Sequence, residues 1–160
     1  HTVSPSMDIQ LASNFERLIF DVCSHDSKKV LQLMNNLKDL GEFTVEEKDL
    51  NKINKDFCAE SMSSEETAKV IKEIYNKEGV LIDPHTAVAI GAASKLSFKE
   101  NTVVLSTAHP SKFFDIVMKE TGVKPELPEK LKKILVKKEK FEKLPNDLEK
   151  VKNYIMSKVQ

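Results

Sequence analysis

The chain has 160 residues and a mass of 18.1 kDa, enough for one domain of ordinary size or for part of a larger one. Lys and Arg number 25 and Asp and Glu number 25, so the formal charge is zero and the basic excess of a general nucleic-acid binder is missing. With 40% hydrophobic and 31% charged residues and only short apolar runs, the composition is that of a globular chain with no bilayer-spanning helix.

Two cysteines, Cys23 and Cys58, form neither a disulfide framework nor a CxxC zinc motif, and a reducing cytoplasm is the expected compartment. The polar N-terminus, with Pro5, carries no signal-peptide pattern. The first residue is His1 rather than methionine, as expected of a processed piece. Four glycines, at 41, 79, 91 and 122, build no Gly-rich phosphate loop, which argues against a self-contained nucleotide enzyme.

The opening Thr2–Gln10 stretch has no clear period and reads as a short strand or an extended loop. Phe15, Leu18, Ile19 and Val22 then lie on one helical face, with Ser13 or Asn14 as N-cap. Asp26 or Ser27 caps a second helix that turns Val30, Leu33, Met34 and Leu37 inward and ends at Gly41. Residues 42–56 are polar with scattered apolar side chains and are expected to hold a short amphipathic turn of helix.

Residues 57–62 read as a short strand. Ser63 and Glu66 have capping-box spacing before a helix that buries Ala68, Ile71, Ile74 and Tyr75 and stops at Gly79. Asp83-Pro84 is an N-cap followed by proline at the first helical position, and the helix it opens has a small-residue face of Ala87, Val88, Gly91, Ala92 and Ala93. Thr102-Val103-Val104-Leu105 is the best strand candidate, β-branched, continuous and expected to be buried. Pro110 opens the next helix, Gly122 closes it, and residues 122–160 form a tail of two helices. Helix and strand alternation predicts an α/β class, helix-rich and with few strands. Two or three strands are too few for a sheet covered on both faces, so part of the core is expected to be missing.

Three places carry possible chemistry. In open parallel sheets, ligands bind beyond the carboxyl ends of strands, where Ser106, Thr107 and His109 follow the 102–105 run. Those hydroxyls either meet a ligand ring nitrogen or cap the next helix. Asp83 and His85 form either an acid–base pair or an ordinary helix cap, and no nucleophile can be paired with them. Arg17 is the only arginine among 25 basic residues, and its planar fork suits a phosphate or carboxylate. The alternative is a structural pair with Asp21 one turn on. His1, His25, His85 and His109 lack metal-ligand spacing. The tail from Lys124 carries 11 Lys against 6 acidic residues and reads as a solvated helical face, with neither nucleic acid nor membrane as partner.

Ser4-Pro5-Ser6-Met7-Asp8-Ile9 with Ser13-Asn14-Phe15-Glu16-Arg17 resembles the threonine synthase family. Asp83-Pro84-His85-Thr86-Ala87-Val88 and Leu105-Ser106-Thr107-Ala108-His109-Pro110-Ser111-Lys112-Phe113 are similar to two further motifs of that family, in the same order. Leu127-Pro128 and Leu144-Pro145 fit its C-terminal end.

The resemblance covers the whole of residues 1–160 and implies the C-terminal part of a pyridoxal-phosphate enzyme of tryptophan-synthase-β-like fold. Such an enzyme converts O-phosphohomoserine and water to threonine and phosphate. The Schiff-base lysine and phosphate loop are then expected upstream, so this chain contributes no catalytic residue and is expected to be inactive without that N-terminal part. Ser97-Phe98-Lys99-Glu100 mimics the lysine motif of related enzymes but falls where the family has a connecting loop.

By the same resemblance, Thr107, with Ser106 as the alternative, hydrogen-bonds the pyridine nitrogen of the cofactor. Asp83 and His85 pass near its ring, and Ser13, Asn14 and Arg17 face the substrate. A second expectation is a non-catalytic module of the same fold that binds a phosphorylated metabolite or a protein partner.

Overall fold

A computed structural model describes residues 1–98 and 100–159. It divides into two compact units, residues 1–126 and 127–160. The first holds α1 (Ser13–Val22), α2 (Ser27–Leu40), α3 (Glu47–Asp56), α4 (Ser64–Glu78), α5 (Pro84–Leu96), a 3₁₀ turn (Pro110–Phe113) and α6 (Phe114–Thr121). The second holds α7 (Glu129–Lys132) and α8 (Leu148–Val159).

The helix signals in the sequence act as local physics requires. Asp26 accepts from the Lys28 and Lys29 amides at 3.0 and 3.1 Å, which satisfies donors that the first turn of α2 cannot. Ser63 and Glu66 close a reciprocal capping box, with the Ser63 amide 2.7 Å from Glu66 Oε2 and the Glu66 amide 3.1 Å from Ser63 Oγ. The start of α1 differs from expectation. Its cap position is Ala12, without a side-chain bond, while Ser13 is already helical and Asn14 Oδ1 accepts from the Phe15 amide instead.

Two helical groups form around separate apolar clusters. In the first, Ile19, Cys23, Val30 and Leu33 are buried, with Phe20, Met34 and Ile53 packed on them from α1, α2 and α3, and Phe43 and Val45 from the loop between α2 and α3. In the second, Ile71, Ile82 and Ala87 are buried between α4 and α5, and Ile116 joins from α6. The small-residue face of α5 lies on α4 and on the Met62 side chain. A Cβ at Gly91 would stand 2.1 Å from Met62 Cε and 3.4 Å from Val70 Cγ2, so a larger residue there would displace the flexible end of Met62.

No strand forms among the described residues. Residues 57–62 and 102–105, expected as strands, lack regular structure, and the opening stretch is a loop with a turn at 5–7. The 102–105 run was expected to be buried, yet Val103 is 87% and Leu105 73% exposed while Val104 is half-buried. The side chains still alternate, but a strand needs a neighbour for its N–H and C=O groups, and none of the described residues is paired with this run through the backbone.

Candidate functional site

The N-terminus of α5 is a buried polar knot. Asp83 is fully buried, and His85 and Thr86 are nearly so. Asp83 Oδ2 accepts from the His85 amide at 3.0 Å and from His85 Nδ1 at 2.9 Å. Asp83 Oδ1 accepts from the Thr86 amide at 3.3 Å and from the Thr86 hydroxyl. Both carboxylate oxygens are therefore committed within one helical turn, as burial of a carboxylate demands.

The other face of the His85 ring system reaches a distant segment. The Ser6 amide donates to His85 Nε2 at 3.2 Å, and the ring meets Phe113 edge-on with centroids 4.7 Å apart. A backbone N–H directed at Nε2 requires that nitrogen to carry no proton, so Nδ1 holds the proton that Asp83 accepts. The acid–base pairing of Asp83 with His85 is thus present in geometry. Its outer end meets a main-chain amide rather than a nucleophile, so the arrangement is not a nucleophilic triad.

Phe113 ends the 3₁₀ turn that follows Ser106 and Thr107, so this segment adjoins the α5 knot. His109, rather than Ser106 or Thr107, caps that turn: its Nδ1 accepts from the Ser111 amide at 3.2 Å and lies 2.7 Å from Ser111 Oγ. Ser106 and Thr107 are exposed, and neither hydroxyl has a hydrogen-bond partner among the described residues. The helix-capping alternative for them is overturned because His109 is nearer the first turn and its ring reaches the amide.

Ser13, Asn14 and Arg17 stand together but elsewhere, at the exposed start of α1. Ser13 and Arg17 line a 640 Å³ groove between α1 and α2 whose apolar floor includes Phe20, Val30, Leu31 and Met34. Arg17 Nε donates to Ser13 O at 3.3 Å, and no carboxylate of the described residues pairs with its guanidinium. The alternative Arg17–Asp21 pair does not form. Asp21 instead meets His25 Nε2 at 3.1 Å, because the left-handed turn at Ser24 and His25 folds that ring back over α1 and onto Phe20. The fork of Arg17 remains available.

A charged cluster in the first helical group was not anticipated. Asp49 on α3 is buried and pairs with Lys29 at 2.8 Å and with Lys52 at 2.9 Å, and the Cys23 thiol donates to it at 3.7 Å. Hydrogen bonds from Lys29 and then Lys52 hold the Asp49 carboxyl at about 2, and bonds to Asp49 and Glu46 raise the Lys29 ammonium. Burial, with the adjacent Asp49 charge, pushes the Cys23 thiol up. The cluster fastens α3 to α1 and α2, and its groups are mutually satisfied. The only available signal was the apolar set around it, since one acidic residue in a polar helix reads as solvated. Among the described residues no acidic, His and Cys groups gather as for a metal, and no helix is long and apolar enough to cross a membrane.

A profile described as "Threonine synthase, C-terminal" matches residues 86–155. The threonine synthase of Pseudomonas aeruginosa is 39% identical over 96% of the chain. The chain belongs to the threonine synthase family. It corresponds to the C-terminal part and spans about a third of its relatives, 34% of the Pseudomonas protein. The pyridoxal-phosphate-bound threonine synthase of Brucella melitensis superposes with a TM-score of 0.79 at 42% identity, over 98% of this chain and 34% of that one. The yeast threonine synthase gives 0.75 at 35% identity, over 99% and 36%. The helix-rich fold is therefore that of the corresponding portion of solved family members. Lys99, the mimic of a cofactor lysine, lies outside the described residues.

Proposed function

We propose that this chain forms one wall of a pyridoxal-phosphate site in a threonine synthase that converts O-phosphohomoserine and water to threonine and phosphate. The observation that carries the reading is the exposed 102–107 segment. It lacks regular structure, and among the described residues its backbone forms no main-chain hydrogen bond and the hydroxyls of Ser106 and Thr107 have no partner. In a family whose Brucella member binds pyridoxal phosphate, such a segment suits a late sheet strand that delivers a polar group to the cofactor.

These residues fit the cofactor as a partial donor set. Thr107, or Ser106 beside it, offers a neutral hydroxyl to the pyridine nitrogen, a partner that does not favour ring protonation as an aspartate would. Bound pyridoxal phosphate supplies an electron sink for carbanion chemistry next to the amino group. Arg17, with Ser13 and Asn14, faces the anionic end of the substrate, where a planar guanidinium can grip phosphate through two N–H groups. Asp83 and His85, fully engaged with each other and with Ser6, support the wall behind the hydroxyls rather than offering free polar atoms to the ring. The lysine that anchors the cofactor and the phosphate loop come from the N-terminal part of the enzyme, so the chain alone is inactive.

The test is reconstitution. The chain is mixed with the complementary N-terminal two thirds of a relative such as the Pseudomonas enzyme, and cofactor absorbance and product formation are followed. Threonine and phosphate should form in the mixture and in neither half. Thr107→Ala should weaken cofactor binding by up to about tenfold, the worth of one hydrogen bond. A mixture that binds cofactor and makes no threonine would sink the reading in favour of a non-catalytic module.

A further inference from the structure

The Ser4–Asp8 loop and the start of α5 are 79 residues apart in sequence yet share a hydrogen bond. The loop's own turn uses the Met7 amide, donating to Ser4 O at 2.8 Å, and the Asp8 amide, donating to Pro5 O at 3.2 Å. Pro5 has no N–H. The Ser6 amide is thus left over by the turn, and His85 Nε2 is the acceptor that takes it. Just before the loop, the Val3 amide donates to Ser64 Oγ at 3.3 Å, at the start of α4.

We infer that His85 is a positioning residue, a two-ended connector that donates through Nδ1 to Asp83 and accepts through Nε2 from Ser6, holding the Ser4–Asp8 loop in register with the N-terminus of α5. Three observations converge on this role. Asp83 is fully buried with both oxygens used, so it orients the ring and stays where it is. Phe113 closes the ring's flank, which limits its rotation. The loop itself is pinned at Ser4, whose side chain is buried beside Thr2 Oγ1 at 2.9 Å, and at Asp8, which accepts from the Thr2 amide at 2.6 Å. A connector of this kind works in one tautomer only. The alternative form, with hydrogen on Nε2, sets two donors against each other at Ser6 and leaves Asp83 Oδ2 facing a bare Nδ1.

That the latched loop borders the cofactor wall rests on the proposed function. The connector itself does not, and its test needs neither cofactor nor substrate. The first measurement is a long-range proton–nitrogen NMR correlation of the His85 ring in the full chain. A protonated Nδ1 and a bare Nε2 are expected, and the opposite tautomer overturns the inference. The second is amide exchange in two variants. An asparagine amide can reach Asp83 as Nδ1 does but falls short of Ser6, whereas a glutamine amide reaches the Nε2 position. His85→Asn should speed exchange of the Ser6 amide by about three- to tenfold, as expected for one lost hydrogen bond, while α4 amides keep their protection. His85→Gln should restore part of the Ser6 protection. Unchanged Ser6 exchange in His85→Asn, or equal loss in both variants, overturns the connector. If neither variant folds, the wild-type tautomer still decides. A failed reconstitution with the connector intact would count against the cofactor reading alone.

Discussion

The α1–α3 group and the α4–α6 group are alike in being three short helices packed around one apolar cluster, but they are fastened differently. The first joins its third helix through a buried carboxylate held by lysines from two helices. The second carries its inter-helix ion pair, Lys95 with Glu66 at 2.8 Å, on a half-exposed surface, and its buried polar atoms are satisfied at the starts of α4 and α5 and by one loop amide. Long-range ion pairing ties stability to pH and to side chains far apart in sequence. Local capping is written into neighbouring residues and leaves the helix surface free for other contacts.

The largest effects should come from emptying either core. Ile19→Ala and Ile71→Ala remove fully buried side chains and should each cost about 2–5 kcal/mol, read by denaturant unfolding of the full chain. Equal costs with separate local exchange losses would sharpen the picture of two clusters; loss of protection in both groups from either variant would break it.

Asp49→Asn should destabilise the first group by less than a core cavity, because Lys52 is half-exposed and regains water once released. Hydrogen exchange should show the loss in α3 amides and spare α4. The pH dependence follows from the same pair. The folded Asp49 carboxyl sits at about 2, below its ordinary 3.8, so its contribution is present above the ordinary value and disappears as pH falls towards 2. Burial raises the Cys23 thiol, so its contribution holds below the ordinary thiol value of 9.0 and is lost as pH rises beyond it. Acid exposure should loosen α3 in wild type and change little further in Asp49→Asn.

In the second group, Gly91→Ala pits overpacking of about 1–3 kcal/mol against a helix-propensity gain of about 1 kcal/mol. The added carbon meets the flexible, half-buried end of Met62, which can turn aside, so a net change within about 1 kcal/mol is expected, and Met62→Ala should move it towards stabilisation. A double-mutant cycle without coupling would refute the close approach. The smallest effect is a gain. Ser97 closes α5 in the left-handed region at φ 54°, and Ser97→Gly should raise stability by about 1 kcal/mol in thermal unfolding.

Much of the helical frame was legible because its signals are local. Asp26, Ser63 with Glu66, and Asp83-Pro84 start helices through atoms two or three residues away, and Gly41, Gly79 and Gly122 end them by adopting positive φ. Asp83 beside His85 could be read the same way. The partner of Nε2 could not, since Ser6 lies 79 residues back and nothing in either motif signals the other. Arg17 stood out by composition, but its separation from Asp21 depended on how the 23–26 turn folded.

The sequence by itself determined where helices begin and end, which faces turn inward and which family motifs occur in which order. Capping, periodicity and side-chain chemistry act over a few residues. Tertiary structure alone decided that Asp49 is buried between two lysines, that His85 joins the opening loop to α5, and that Val103 and Leu105 stay exposed. Each of those depends on a partner remote in the chain: an ammonium brought in by another helix, an amide left over from a turn, or a neighbouring strand whose hydrogen bonds a β-branched run requires before it can be a strand.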